Sequence, residues 1–316
     1  MQTFLIAGGA GFIGSHLCEK LLNDGSKIIC VDNLITGSRN NIEAFKNNSN
    51  FIFIKYDITQ NLKLPDEIDG IFHLASPASP NKKSPRSYIT YPIETLLANS
   101  IGTYNLLNLA KEKRARFVYA SSSEVYGNPS VSPQDESYFG NVSPNGIRSV
   151  YDEGKRFGEA MTMAYFRKYD LDTRIMRIFN TYGDRMQKDD GRVVSNFINQ
   201  AIKDRPITVY GNGSQTRSFC FIDDLIDGIT RLMISDKAKG QFLNLGNPDE
   251  YTIIEMANII KNLTKSNSEI VFEQLPEDDP LKRKPDIGKA IKLLGFAPKV
   301  ALAEGLKKTI EYFKHN

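Results

Sequence analysis

The feature that most constrains the fold of this chain is a glycine-rich turn between a predicted strand and a predicted helix. The apolar segment 3–7 is followed by residues 8–14, which read GGAGFIG, and by a pattern of helical period over 13–24. Glycines at 8, 11 and 14 allow a tight turn and bring the backbone close to a pyrophosphate at the helix N-terminus. The sequence therefore predicts a phosphate-binding turn within an α/β fold.

Short apolar segments alternate with helix-period segments through the first half of the chain. The predicted strands are 3–7, 27–31, 51–56, 70–74, 116–120 and 172–179, and the predicted helices are 13–24, 95–113 and 151–169. Short strands separated by helices imply βαβ crossovers, so we expect a parallel sheet. The predicted fold class is α/β, a doubly wound parallel Rossmann sheet with a smaller mixed α/β C-terminal substrate lobe.

The pattern becomes less regular after Asn180. Helices are predicted near 193–203, 222–234, 253–261 and 302–314. We expect a dinucleotide-binding domain over 1–178, to which 219–246 returns, and a substrate lobe over 179–218 and 247–316. The sequence contains neither an internal repeat nor a linker rich in Gly and Ser, so the two parts are expected to pack tightly.

Composition excludes several functions. Lys and Arg number 40 against 37 Asp and Glu, a net charge of +3, which disfavours nucleic acid as a partner. Hydrophobic residues make up 41%, and the mean hydropathy of −0.35 argues against a membrane protein. The three cysteines and three histidines lack disulfide or metal-ligand spacing, so we expect reduced thiols and no metal. The N-terminal segment lacks a basic stretch and resembles neither a signal peptide nor a membrane anchor, so a cytoplasmic location is predicted.

An acidic residue at the end of the second predicted strand indicates which dinucleotide binds. Asp32 lies 18 residues after Gly14, where a carboxylate accepts hydrogen bonds from a ribose 2′-hydroxyl and repels a 2′-phosphate. The sequence therefore predicts NAD as the cofactor, in preference to NADP.

The candidate chemical groups are a tyrosine and a lysine on one helix face. Tyr151 and Lys155 are four residues apart, and the preceding strand 116–120 ends in serines that include Ser122. A phenol has a pKa near 10, and we expect the Lys155 ammonium and a positive nicotinamide ring to lower it. Such a pair can take a proton from an alcohol while NAD takes a hydride.

In this order, the glycine turn, the serine-rich strand end and Y-x-x-x-K resemble the short-chain dehydrogenase/reductase superfamily. The resemblance implies that Asn99 lies at the head of its helix. It also implies a set of cofactor-binding residues: Gly8, Gly11, Phe12, Ile13, Gly14, Asp32, Asn33, Thr36, Gly37, Asp57, Ile58, Leu74, Ala75, Ser76, Asn99, Tyr151 and Lys155.

The residues after the strand point to one branch of the superfamily. Dehydratases of nucleotide sugars carry an Asp-Glu pair here, and 4-epimerases usually lack the carboxylate, whereas this chain has Ser123-Glu124. Further blocks at 73–80, 151–156, 177–181, 190–197, 208–217 and 282–287 resemble the UDP-glucuronate decarboxylases. Two features depart from that pattern: Ser122 replaces the usual Thr, and extra residues lie around 81–86. The extra residues affect the prediction of the sugar more than that of the reaction.

The resemblance implies a redox-neutral decarboxylation in which bound NAD is not consumed. The implied catalytic residues are Tyr151, Lys155, Ser122, Glu124 and Arg283. Arg283 is expected to meet the substrate carboxylate. Glu124, or a water that it holds, is expected to assist proton delivery to C5, an acid role that burial would favour by raising its pKa. The implied residues for binding UDP-glucuronate are Ser79, Glu124, Asn180, Arg192, Tyr210, Gln215, Arg217 and Arg283.

Three alternatives remain open at this point: a 4,6-dehydratase, a 4-epimerase and a catalytically silent NAD-binding protein. The predicted helices 95–113 and 151–169 carry more apolar surface than one sheet needs. By resemblance they form the interface of a homodimer.

Overall fold

The computed structural model describes residues 1–64, 67–81, 84–275 and 282–315. The strands are β1 Thr3–Ala7, β2 Lys27–Asp32, β3 Phe51–Lys55, β4 Gly70–His73, β5 Arg116–Ser122, β6 Thr173–Ile178, β7 Thr181–Tyr182, β8 Ile207–Tyr210, β9 Thr216–Ser218, β10 Cys220–Phe221, β11 Phe242–Leu245, β12 Glu250–Thr252, β13 Ile270–Glu273 and β14 Lys282–Arg283. The α-helices are α1 Phe12–Asn23, α2 Pro92–Leu97, α3 Thr103–Lys113, α4 Ser149–Tyr169, α5 Val193–Ala201, α6 Ile222–Ile234, α7 Ile253–Thr264, α8 Gly288–Leu294 and α9 Leu302–His315.

A parallel sheet forms the centre of the first part of the molecule. Within the described residues its order is β3-β2-β1-β4-β5-β6-β11, and every neighbouring pair is parallel. The strand order reverses between β1 and β4. In open parallel sheets, ligands bind at such a point, outside the carboxyl ends of the strands. The predicted doubly wound α/β fold is confirmed.

Alternation along the strands explains the helical layers on both faces of the sheet. In β1, Phe4 and Ile6 belong to the core that contains the buried side chains of α1 and α6, whereas Leu5 and Ala7 belong to the core on the side of α3. Successive side chains of a strand point to opposite faces, so an entirely apolar strand is buried on both sides. Because neighbouring strands of this sheet are parallel, the turns that follow their carboxyl ends lie at one edge of the sheet.

The predicted helix 95–113 differs from the structure at its start and in its middle. Helix α2 begins at Pro92, because proline is well suited to the first helical turn. A π turn, Ala98–Gly102, joins α2 to α3. Asn99 consequently lies inside a continuous helical segment, so the prediction that it heads the helix was wrong.

The second part of the molecule contains small sheets that the sequence pattern did not reveal. Strands β8 and β13 pair in parallel, and β9 pairs with β12 antiparallel and with β14 in parallel. These strands are two to four residues long, too short for a visible period. The β9–β14 pairing sets Arg283 beside Arg217.

Strand β11 returns the chain to the central sheet by pairing with β6. The exact domain limits stay a prediction. In the part of the chain that the structure describes, each helix is too short or too polar to cross a membrane.

Candidate active site

The glycine turn at the start of α1 forms a backbone cradle. Gly8 has a φ of +81°, and a Cβ atom there would lie 2.7 Å from the backbone nitrogen of Ala75. A Cβ atom on Gly14 would lie 2.1 Å from the carbonyl oxygen of Gly8. No side chain caps the first turn of α1, so its N–H groups are available to an anion. Side chains at these positions would collide with the neighbouring backbone, so the glycines let the turn pack closely on itself and on the segment after β4.

Asp32 lies where the predicted ribose contact should be. Its carboxylate accepts hydrogen bonds from the backbone nitrogens of Ala10, at 3.0 Å, and Leu34, at 2.8 Å. Burial raises the pKa of Asp32, and those two hydrogen bonds oppose the increase. A Cβ atom on Gly37 would lie 2.9 Å from the Asp32 carboxylate oxygens, so glycine leaves the carboxylate approachable. These residues fit a dinucleotide whose ribose carries a free 2′-hydroxyl.

One cavity of about 810 Å³ extends from the glycine turn to the second lobe. Its described wall includes nine of the predicted cofactor-binding residues: Gly11, Phe12, Ile13, Gly14, Thr36, Leu74, Ser76, Tyr151 and Lys155. The others lie outside that wall: Gly8, Asp32, Asn33, Gly37, Asp57, Ile58, Ala75 and Asn99.

Several of the residues outside the cavity wall contact residues near the predicted cofactor site. Ala75 packs on Gly8, and Asn33 donates to the Asp57 carboxylate at 3.1 Å. Asn99 donates to Ser76 at 2.9 Å and accepts from Tyr119 at 2.9 Å. Binding by individual residues stays a prediction.

Ser122, Tyr151 and Lys155 meet at one wall of the cavity. Ser122 ends β5, and its hydroxyl forms a hydrogen bond with that of Tyr151. Burial raises the pKa of Tyr151 to about 12, although the Ser122 hydrogen bond opposes the increase. The chain alone therefore keeps the phenol protonated, because desolvation dominates. The lowering expected from Lys155 together with a bound nicotinamide ring stays a prediction.

Lys155 is deeply buried between α4 and β5. Its ammonium donates to the carbonyl oxygen of Ala120 at 2.8 Å and lies 5.6 Å from the ring centroid of Tyr151. Burial lowers the pKa of Lys155 to about 7, and the Glu159 carboxylate opposes the decrease. The lysine can therefore exchange its proton near neutral pH.

Glu124 lies between two guanidinium groups at the same end of the cavity. Its Oε2 accepts from Arg148 and, at 3.2 Å, from Nη2 of Arg283. Arg283 is only 1% exposed and also donates to the carbonyl oxygen of Ser123. Burial alone would raise the pKa of Glu124, but Arg283 and Arg148 outweigh burial and lower it to about 2. The prediction that burial makes Glu124 an acid at neutral pH was therefore wrong.

All eight predicted substrate residues line the cavity: Ser79, Glu124, Asn180, Arg192, Tyr210, Gln215, Arg217 and Arg283. Arg192 pairs with Asp190, with Nη2 and Oδ2 2.8 Å apart. Gln215 donates to the carbonyl oxygen of Tyr210 at 2.7 Å. The structure brings these residues together, and their individual roles stay predictions.

Among the residues of the described cavity wall that sequence reasoning missed, Tyr88 and Arg148 lie next to the proposed chemical groups. The Tyr88 ring stacks on Tyr151 with centroids 5.0 Å apart and planes 10° apart. Tyr88 follows the extra residues 81–86, where the resemblance is interrupted. Arg148 stands three residues before Tyr151, and only its proximity to the motif offered a signal.

The extra residues join the cofactor end of the cavity to the second lobe. Lys82 and Lys83 lie outside the described residues, whereas Asn81 and Arg86 line the cavity. Arg86 pairs with Asp189 at 3.3 Å and donates to the carbonyl oxygen of Thr36 at 3.2 Å. Gln187 donates to the same oxygen at 2.9 Å.

A profile of the NAD dependent epimerase/dehydratase family matches residues 4–246. The chain belongs to this family. The cofactor is NAD, consistent with the fit of the glycine turn and Asp32. The chain combines the dinucleotide turn with a Tyr-Lys pair on one scaffold.

Curated relatives cover nearly the whole chain. UDP-glucuronic acid decarboxylase 1 of Danio rerio is 51% identical over 312 residues, which are 99% of this chain and 72% of that protein. UDP-glucuronic acid decarboxylase 6 of Arabidopsis thaliana is 49% identical over 314 residues, 99% of this chain and 89% of that protein.

Solved structures of the same scaffold include a 4-epimerase. UDP-glucuronic acid 4-epimerase from Bacillus cereus, in complex with UDP-glucuronic acid and NAD, has a TM-score of 0.88 at 29% identity and covers 99% of both chains. DesIV, a dTDP-glucose 4,6-dehydratase from Streptomyces venezuelae with NAD bound, has a TM-score of 0.89 at 27% identity and covers 100% of this chain and 98% of its own.

Proposed function

We propose that this enzyme converts UDP-glucuronate to UDP-xylose and CO2 with NAD that is regenerated in each cycle. The observation that carries the proposal is the identity of about half of all residues to UDP-glucuronic acid decarboxylases over 98–99% of the chain. The site adds a physical reason, because Arg148 and Arg283 form a buried cationic end of the cavity that suits a uronate carboxylate.

The proposed chemistry begins at C4 of the sugar. When bound, NAD supplies the hydride acceptor at C4 and later the hydride donor. Tyr151 takes the proton of the C4 hydroxyl, and Ser122 donates to the C4 oxygen. Lys155 holds the nicotinamide ribose and supplies positive charge beside the phenolate. Because the pKa of Lys155 is about 7, its neutral amine can first take the phenol proton, which leaves a Tyr151 phenolate beside an ammonium and able to accept the C4 proton.

Decarboxylation follows from the position of the new carbonyl. Once C4 is a ketone, the carboxylate is that of a β-keto acid, so the electrons of the C5–C6 bond enter an enolate as CO2 leaves. Ser122 and Tyr151 stabilise the enolate oxygen. Arg283 and Arg148 hold the carboxylate in place, while Arg192, Arg217, Asn180 and Tyr210 hold the nucleotide.

The decisive experiment is mass spectrometry of the nucleotide sugar after incubation of the protein with UDP-glucuronate and NAD. We expect loss of one CO2 to give a UDP-pentose, with no net NADH. Unchanged mass with a new chromatographic peak would instead identify a 4-epimerase, the reaction of the B. cereus neighbour. No reaction with any nucleotide sugar would identify a silent NAD-binding protein.

We also propose a homodimer in the cytoplasm. Helix α4 and the segment from α2 to α3 expose an apolar row on the side away from the sheet: Ile93, Leu96, Leu97, Ile101, Tyr104 and Phe157. A second copy of the same face would bury this row. The cytoplasmic location is supported by the free, buried state of Cys18, Cys30 and Cys220. Sedimentation velocity of the wild type and of Ile101→Glu tests the dimer: the wild type should sediment as a dimer and the variant as a monomer.

A further inference from the structure

Four residues that the mechanism above does not use connect the cofactor end of the cavity to the second lobe. Thr36 follows β2, and its carbonyl oxygen accepts hydrogen bonds from Arg86 at 3.2 Å and from Gln187 at 2.9 Å. Arg86 also pairs with Asp189 at 3.3 Å. Gln187 and Asp189 belong to the segment 187–192, which leads into α5. These four residues form a clasp between two loops that are far apart in the chain.

The clasp is continuous with a residue that is predicted to bind the substrate. Asp190 directly follows Asp189, and its carboxylate holds the Arg192 guanidinium, with Nε and Oδ1 2.5 Å apart and Nη2 and Oδ2 2.8 Å apart. A bidentate pair of this kind fixes the plane of a guanidinium. The Ser79 hydroxyl donates to the carbonyl oxygen of Asp190. A diphosphate on Arg192 would therefore add contacts to the segment that carries Gln187 and Asp189.

Further contacts hold this segment in place. Asn196 of α5 donates to the carbonyl oxygen of Gly191 at 2.9 Å, and Asn199 of α5 donates to that of Lys188 at 2.7 Å. Gly191 has a φ of +84°, and a Cβ atom there would lie 2.4 Å from the Cβ atom of Asn81. A displacement of the segment would therefore break its contacts with α5 as well as those of the clasp.

Arg86 distinguishes this chain from the decarboxylase pattern. It belongs to the extra residues around 81–86, where that pattern is interrupted. Its contacts with Thr36 and Asp189 are therefore a property of this structure that the resemblance does not imply.

The proposed reaction gives such a connection a purpose. Between the two hydride transfers the enzyme holds NADH together with an oxidised sugar, and loss of NADH at that stage would leave the sugar as a ketone. A contact that holds the cofactor more firmly while the nucleotide sugar is bound would prevent this loss.

We propose that the clasp couples binding of the nucleoside diphosphate at Arg192 to retention of the dinucleotide at the glycine turn. The proposal rests on the proposed function for the identity of the nucleotide, UDP. Thr36 lines the same cavity as Gly11 and Gly14, so a ligand that stabilises the hydrogen bonds to Thr36 also stabilises the cofactor end. Linkage requires the converse, that bound NAD raises the affinity for UDP by the same factor. Arg86 is thus a positioning residue that acts through Thr36.

The test is the rate of NADH release from the NADH-loaded enzyme, with and without saturating UDP. Stopped-flow fluorescence during a chase with excess NAD measures this rate. We expect UDP to slow release about tenfold in the wild type. The double variant Arg86→Ala/Gln187→Ala lacks both side-chain donors to the Thr36 carbonyl oxygen, so UDP should slow its release less than about twofold. A merely structural loosening would speed release equally with and without UDP and would leave the ratio of the two rates unchanged.

Lys188→Ala is the matched control, because it removes an exposed positive charge from the same segment and keeps the hydrogen bonds of the clasp. Its ratio should equal that of the wild type. Gln187→Glu keeps the size of the side chain and replaces the donor by an acceptor, so it tests the same contact if the double variant does not fold. Its ratio should also fall. A wild-type ratio in either clasp variant, or a ratio near one in the wild type, would overturn the proposal.

The products of turnover provide a second readout. With UDP-glucuronate the double variant should release UDP-4-keto-pentose with one NADH for each ketone, whereas the wild type should release UDP-xylose alone. A double variant that releases no ketone would overturn the purpose assigned to the clasp.

The failure of this proposal can be told apart from the failure of the proposed function, because UDP itself does not react. An enzyme that forms no CO2 but shows the UDP-dependent ratio would overturn the proposed function alone. A decarboxylase without that ratio would overturn the coupling alone, and absence of UDP binding would overturn both.

Discussion

The two ends of the cavity are constructed in different ways. At the cofactor end, the backbone of one short segment, from Gly8 to Gly14, forms the cradle. At the other end, Glu124, Arg148 and Arg283 come from three separate parts of the chain and hold one another by charge. A local backbone site depends on steric space, whereas a charged site depends on burial and on every charge nearby. Substitutions should therefore affect the two ends in different ways.

The largest expected effect is on the chemical step, with no change in binding at either end of the cavity. Tyr151→Phe removes the proposed base but keeps the ring that stacks on Tyr88. We expect kcat for UDP-glucuronate to fall by about a thousandfold, measured by release of UDP-xylose. NAD content and calorimetric UDP affinity should match the wild type. A variant that retains more than a tenth of the wild-type kcat would show that Tyr151 is not the base.

The next variant breaks the cofactor end alone. Gly14→Ala places a Cβ atom 2.1 Å from the backbone carbonyl oxygen of Gly8. Only a shift of the main chain can remove this clash, and such a shift would distort the turn. We expect NAD affinity to fall at least about a hundredfold, which corresponds to about 2.7 kcal/mol. UDP binding at the other end should stay as in the wild type. Retention of NAD through gel filtration would contradict the steric argument.

A third variant breaks the charged end alone. Arg283→Gln removes one of the two guanidinium groups that hold Glu124, so kcat/KM for UDP-glucuronate should fall about 30-fold, or about 2 kcal/mol. UDP and NAD affinities should not change. Arg283→Lys keeps the charge and should recover part of the loss. Equal rates for the Lys and Gln variants would show that positive charge is not what this position supplies.

Stability should depend on pH through the same charged end. Burial raises the pKa of Glu124, but the two arginines lower it, so the net shift is from 4.5 to about 2. A lowered folded-state pKa stabilises the protein above the unfolded value, and the stabilisation is lost as pH falls toward the folded value. Glu124→Gln should therefore lower the free energy of unfolding by about 1–3 kcal/mol at neutral pH.

The difference in free energy of unfolding between the wild type and Glu124→Gln should become smaller as pH falls below about 4.5. Urea denaturation at a series of pH values measures this difference. Asp170→Asn, an exposed carboxylate, should show no such trend. A gap that is constant with pH would mean that the arginines do not control this carboxylate.

The smallest effect concerns the connection between the two ends. Arg86 and Gln187 both donate to the Thr36 carbonyl oxygen, and Arg86 also pairs with Asp189. Since these side chains are partly exposed, Arg86→Ala should speed NAD dissociation only about two- to fivefold. Stopped-flow measurement of NADH release checks this rate. Asp189→Asn should have a smaller effect, because it removes the ion pair and leaves the Thr36 contact.

The features that could be predicted from the sequence are those defined by residues close together in the chain. The glycine turn, Asp32 and the Tyr151–Lys155 pair were identified from separations of a few residues, and the sheet followed from strand and helix lengths. The predicted pKa direction of Glu124 was wrong, because the positions of Arg148 and Arg283 beside it depend on the tertiary fold. The rise that burial gives to the pKa of Tyr151 in the chain alone could not be read from the sequence for the same reason. The sheets of the second lobe were missed because their strands are too short to show a period.

The π turn inside the helical segment from α2 to α3 fixes the rotational phase of that segment. A wide turn accommodates one additional residue, so α2 is rotated by about 100° relative to an uninterrupted helix. This phase lets Asn99 reach Ser76 and Tyr119 while the apolar row from Ile93 to Tyr104 faces outward. Deleting one residue within 98–102 would turn α2 by that angle and separate the two contacts. The additional residue of the π turn thus sets both the interior contacts of Asn99 and the outward orientation of the exposed apolar row.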